Sequence, residues 1–172
     1  MPNPIKAMAK LTCGSKQIDG MGFGGGAKVD NLEVAGTLGM KNPDTGEKLY
    51  RNAYNLARFA YCGDEQVRGY VRAALYNRLL HEDKGKIAED TILRLVFASI
   101  REFTNPATII NKDGEQEIVS YSKRRIAKIL NIKHQSISDR HEKLYNICVE
   151  QLNIWSNDAV SHIKSHYRED EL

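Results

Sequence analysis

Three stretches between Glu47 and Phe103 repeat apolar residues at helical spacing, and each is closed by a glycine or a proline. No other feature constrains the fold as tightly. A period near 3.6 residues lines up one buried stripe on a helix, whereas on a strand it would scatter the same side chains over both faces. In "EKLYRNAYNLARFAYCG" the stripe is Leu49, Ala53, Leu56, Ala57 and Ala60, with Gly63 as the stop. In "EQVRGYVRAALYNRLLHED", with Asp64 as a candidate N-cap, it is Val67, Tyr70, Val71, Ala74, Leu75 and Leu79, ended by Gly85. In "KIAEDTILRLVFASIREF" it is Ala88, Ile92, Leu95, Val96, Ile100 and Phe103. "TNP" at Thr104 to Pro106 then closes it, because a residue before proline avoids the α region. The fold class expected is mainly α, built as a helical body.

Two further elements follow from the chain on either side. "ATIINKDGEQEIVSYS" places β-branched runs around Asp113-Gly114, a turn dipeptide, and predicts a short β-hairpin with strands near Ala107–Asn111 and Glu117–Tyr121. Residues 1–46 hold "GMGFGGGAK" and "KNPDTGE" and no sustained apolar period. They read as a flexible, largely irregular glycine-rich arm, with residues 47–172 as the helical domain. Deleting residues 1–40 is then expected to leave that domain folded. Beyond Tyr145 the helical spacing continues through Ile147, Cys148, Leu152 and Trp155. "SND" at Ser156 to Asp158 is expected to break it before Ala159, Ile163 and Tyr167 resume.

Composition narrows the function by exclusion. The chain has 172 residues, of which 41% are hydrophobic, and no run of about 18 apolar residues for a membrane span. Its beginning, "MPNPIKAMAKLTCGSK", lacks the apolar stretch of a secretory signal, so the expected location is cytoplasmic. Cys13, Cys62 and Cys148 are far apart and form no C-x-x-C pair, which fits reduced thiols. Gly20, Gly22 and Gly25 spell G-x-G-x-x-G, but without the strand before and helix after that a dinucleotide site requires. His162 and His166 stand four apart without the glutamate of H-E-x-x-H or a nearby cysteine pair. No nucleophile has a base placed for it. The reading is of a protein that is not an enzyme, with no catalytic residue, no metal and no cofactor.

The charge is more informative than the total. The whole chain carries +3, yet Tyr121 to Tyr145 alone holds seven lysines and arginines against two acids, a net +5. This segment, "YSKRRIAKILNIKHQSISDRHEKLY", opens with Ser122 as a helix cap and continues with Ile126, Ala127, Ile129 and Leu130. Asn131, a residue tolerant of left-handed backbone, then marks a tight turn. Ala127, Asn131 and Ile137 stand where a close helix crossing needs a small residue, a turn residue and an apolar plug. The pattern resembles the helix-turn-helix of bacterial and phage DNA-binding proteins, over about residues 122–146. It departs from the usual form in having Asn131 for the turn glycine and Arg140 at a position usually apolar. An ordinary helical hairpin with a solvated basic face is the alternative, but a solvated face needs no concentrated positive sign, whereas phosphates do.

On the helix-turn-helix reading a second helix begins near Lys133 and enters the major groove of double-stranded DNA. Gln135, Ser136, Ser138 and Asp139 face base edges. Gln135 pairs with adenine, and Asp139 accepts from cytosine or orients Arg140, itself a DNA contact. Lys123, Arg124, Arg125, Lys133 and Lys143, joined by His134, contact phosphates. His141 lies on the face of Ile137 and Leu144 and is read as packed or capping.

The same 25-residue segment is similar to the DNA-reading segments of the Q-type late antiterminators of lambdoid phages, where "SKRRIA" leads a helix. The likeness does not extend to residues 1–46. It implies a phage or prophage regulator that works in a bacterial host's cytoplasm. Such a regulator binds DNA near a late promoter and modifies RNA polymerase to read through terminators. Polymerase contact would fall to the arm or the helical body. Some branches of that family hold zinc through paired cysteines; this chain has none, which implies a metal-free branch. Other roles for the same motif are the DNA-recognition subunit of a phage packaging machine (a small terminase) and a simple repressor or activator. With about five phosphates neutralised, the logarithm of DNA affinity should fall against log salt with a slope of roughly −4 to −5. Fluorescence anisotropy across a salt series measures this, and a flat profile contradicts it.

Overall fold

The computed structural model describes residues 31–110 and 116–167. These are mainly α-helical: α1 is Asn31–Gly39, α2 Arg51–Cys62, α3 Arg68–Asp83, α4 Glu89–Thr104, α5 Lys123–Leu130 and α6 Asp139–Lys164. Strands β1 (Ala107–Ile110) and β2 (Gln116–Val119) come between α4 and α5. Single 3₁₀ turns occur at Glu65–Val67 and His134–Ser136. The chain divides into two compact units, one of Met1–Val71 with Asn153–Leu172 and one of Arg72–Leu152.

In the first unit, α1 contributes Val34 and Leu38, α2 Ala57, and the last turns of α6 Ala159, Val160 and Ile163 to one core cluster. Tyr54, Tyr61 and Tyr167 pack against it. Gly63, at φ 70°, supplies the left-handed residue that ends α2. Two expectations change here. Residues 31–39 were to belong to an irregular arm, but they form a helix whose Val34 and Leu38 are 0% and 2% exposed. The remainder of the expected arm, residues 1–30, lies outside the described residues. The expected break at Ser156–Asp158 is also absent, since α6 runs through it. Ser156 is fully buried, and its hydroxyl bonds that of Tyr61, so a residue that usually competes with helix is here satisfied by packing.

In the second unit the α4 stripe is buried as Ile92, Leu95, Val96, Ile100 and Phe103. Leu75 and Leu79 of α3 are buried, as are Ile126, Ala127 and Leu130 of α5 and Leu144, Tyr145, Cys148 and Leu152 of α6. Helices α4 and α5 pack on each other. β1 pairs antiparallel with β2, from Ala107↔Val119 to Ile110↔Gln116. The expected Asp113-Gly114 turn falls outside the described residues. Tyr70, assigned to a buried stripe, is instead 55% exposed, with the Arg51 guanidinium 5.3 Å from its ring centre.

Because Leu38 is buried in the first unit, Leu38→Ala should cost about 2–5 kcal/mol of stability. Deleting residues 1–40 should cost at least as much. Thermal unfolding of both variants tests this; unchanged melting would return residues 31–39 to the arm.

Candidate nucleic-acid interface

The basic segment begins where a buried carboxylate holds the chain. Glu102, on the inner face of α4, is 8% exposed. Its Oε2 accepts from the Tyr121 backbone N–H at 3.1 Å and from the Tyr145 hydroxyl. Burial, and then the hydrogen bond to Glu102, push the Tyr145 phenol well above its ordinary pKa, so it stays a donor. The Tyr121 hydroxyl donates to the Asn105 carbonyl at 2.7 Å. Residues 105 and 121 are thus tied across the base of the strand pair. Chain direction into α5 is fixed at that point.

Helix α5 starts at once, because Ser122 caps it: the side chain accepts from the Arg125 N–H at 3.3 Å. It ends at Asn131, which has φ 57° and ψ 43°. The Ile132 N–H bonds the Ala127 carbonyl and the Asn131 N–H that of Lys128, the paired bonds of a Schellman stop. Arg94, paired to Asp90 at 2.8 Å, also places a guanidinium nitrogen 3.5 Å from the Leu130 carbonyl, a cation at the helix's negative end.

The short helix presents an open groove of about 710 Å³ against α4. Phe97 and Arg101 line it from α4, and Ser122, Arg124, Arg125, Lys128 and Ile129 from α5 and its cap. Among the described residues no carboxylate lines it. Arg78, Arg94 and Arg140 each have an acidic partner, but among the described residues Arg101, Arg124, Arg125 and Lys128 have none. Arg125 is further ordered by its guanidinium lying 3.9 Å from the centre of the Tyr121 ring. Four cations converge on one surface with no acidic partner among the described residues.

The remaining candidates divide. Lys123 is exposed, with Nζ 2.8 Å from Glu142. Lys133, His134, Gln135 and Ser136 are exposed on the connection after α5, and Lys143 is exposed on α6. None of these lines the groove. The second helix does not begin near Lys133, because Lys133 and Ile137 both have extended backbone. It begins at Asp139, where Ser138 acts as cap. The Ser138 hydroxyl oxygen accepts from the His141 N–H at 3.4 Å, and His141 Nδ1 accepts from the Ser138 N–H at 3.1 Å. This is the reciprocal arrangement of a capping box, with histidine in the usual place of glutamate. Ser138 is therefore engaged locally, and Asp139 is an exposed first-turn residue.

Arg140, expected as a DNA contact, is engaged within the fold. Its Nε donates to Asp83 Oδ1 and its Nη2 to the Asp83 carbonyl, both at 2.6 Å. Asp83 is fully buried. Burial pushes its pKa up, but the Arg140 hydrogen bond and the Ile87 amide outweigh burial and hold it below the usual carboxylate range. The groove adds two residues that the charge count missed, Phe97 and Arg101. They lie one helical turn apart on α4, about twenty residues before the basic run begins, so a window on charge alone passes over them.

Compared with known proteins, the chain matches no family model, no curated protein and no solved structure. Among the described residues no group of histidine, cysteine, aspartate and glutamate is arranged to hold a metal ion, and no helix is long and apolar enough to cross a membrane.

Arg140→Ala should strand a buried carboxylate and cost about 3 kcal/mol, the low end for such a pair because the guanidinium is partly exposed. The pair's stabilisation is present above the ordinary aspartate pKa of about 3.9 and is lost as pH falls through the lower folded-state value. Urea unfolding at neutral pH reads the loss. A variant of wild-type stability but weakened DNA binding would restore Arg140 to the interface.

Proposed function

We propose that the protein is a DNA-binding transcription regulator that grips double-stranded DNA through α5 and the connection after it. The observation that carries this is the set of four cations on one groove that have no acidic partner among the described residues. Fixed positive charge of that density suits a polyanion, and three of the four are arginines, whose planar forks match phosphate oxygens in pairs. In this reading α5, the Asn131 turn and α6 act as a helix-turn-helix with a long connection. Lys133, His134, Gln135 and Ser136, all exposed on that connection, reach the duplex beside the groove. Gln135 is the candidate for base reading, since its amide can pair bidentately with adenine. Lys123 joins by exchanging Glu142 for a phosphate, a small cost for an exposed pair.

The likeness of "YSKRRIAKILNIKHQSISDRHEKLY" to Q-type antiterminators extends the proposal to a role, that of letting RNA polymerase read through terminators after binding near a late promoter. Arg124→Ala or Lys128→Ala should weaken specific and random duplexes alike. Gln135→Ala should cost about 1–3 kcal/mol on the selected site only. DNA selection followed by titration of each variant tests the division of labour. Equal losses on both DNAs for Gln135→Ala would remove it as the reader. A wild-type protein that selects no DNA would end the reading itself.

A further inference from the structure

Phe97 is poorly matched to duplex phosphates. It is 38% exposed, yet it lies in a groove otherwise lined by cations, a serine and one isoleucine. A duplex offers such a ring only phosphates, sugars and base edges, because the base faces are covered by their neighbours in the stack. An unpaired base offers a face. Stacking on an aromatic side chain strengthens binding by about tenfold or more per base and tolerates any sequence. A basic track beside an aromatic platform is the arrangement by which single strands are held. Here Phe97 and Arg101 lie one turn apart on α4, and Arg124 and Lys128 one turn apart on α5, so ring and cations share the groove. The volume of about 710 Å³ lies within the range of pockets that hold nucleotide-sized ligands. Arg125, already stacked on Tyr121, loses little freedom on meeting a phosphate.

We propose that the groove between α4 and α5 is a single-stranded nucleic-acid site, in which an unpaired base stacks on Phe97 while Arg101, Arg124 and Lys128 hold the flanking phosphates. This rests on the nucleic-acid reading above and adds that the groove takes melted strands. The duplex stays with α5 and the exposed connection after it, and Phe97 serves the melted strand alone.

The test uses the full chain and labelled probes of one sequence: a 12-nucleotide single strand, its duplex, and the same backbone with abasic sites. Polyglutamate serves as an acidic-peptide control. Wild-type protein should bind the single strand about tenfold tighter than the abasic backbone. Phe97→Ala should abolish that difference and leave duplex binding within twofold, whereas Phe97→Tyr should retain it. Arg101→Ala should weaken the single strand and the abasic backbone alike. Equal affinity of wild-type protein for single-stranded and abasic backbones overturns the proposal and leaves the duplex reading intact. So does a Phe97→Ala loss shared equally with the duplex, or polyglutamate bound as tightly as the single strand. Binding of neither single strand nor duplex overturns both.

Discussion

The Glu102 carboxylate is the interaction on which the basic surface depends. Burying a carboxyl group is costly unless it is hydrogen-bonded, and Glu102 is satisfied by the Tyr121 amide and the Tyr145 hydroxyl. Those two donors belong to the residue that leads into α5 and to the body of α6. One buried oxygen therefore joins α4 to both later helices of the second unit. Tyr121 extends the constraint: its hydroxyl closes the base of the strand pair at Asn105, and its ring underlies Arg125. The direction of α5, the site of its cap and the pose of one groove arginine all follow from where Glu102 sits.

The second polar clamp, Arg140 on Asp83, explains why a segment rich in cations does not present them all. Arg140 is consumed in holding the start of α6 to the end of α3. Lys123 is engaged by Glu142. The charge left for a polyanion is narrower than the count of basic residues suggests, and it is concentrated on the α4–α5 groove and the connection after Asn131. That concentration bears on mechanism. Cations already opposed by carboxylates gain little from a phosphate, and Arg101, Arg124, Arg125 and Lys128 have no such partner among the described residues.

Local signals were legible in the sequence, and pairings distant along the chain were not. The stripe of Ile92, Leu95, Val96, Ile100 and Phe103 is buried as its spacing requires. Gly63, Ser122 and Asn131 end or begin helices for reasons contained in their own side chains or backbones. Helix α1 was missed because "NLEVAGTLG" carries two glycines and offers only Val34 and Leu38 as a repeat. Its helical state depends on the core those two residues join. The start of α6 was misplaced because the partner of Ser138 is a histidine rather than the expected glutamate or glutamine. The pairing of Arg140 was not legible because Asp83 lies 57 residues away, and no local pattern announces such a pair.

The most direct test of this account is amide hydrogen exchange on the full chain, with and without a saturating duplex from DNA selection. The account predicts slowed exchange over residues 122–136, with α1 and α2 unchanged. Slowing confined to α1 and α2, or no change over residues 122–136 when the duplex is bound, would contradict the claim that α5 and the connection after it carry the nucleic acid.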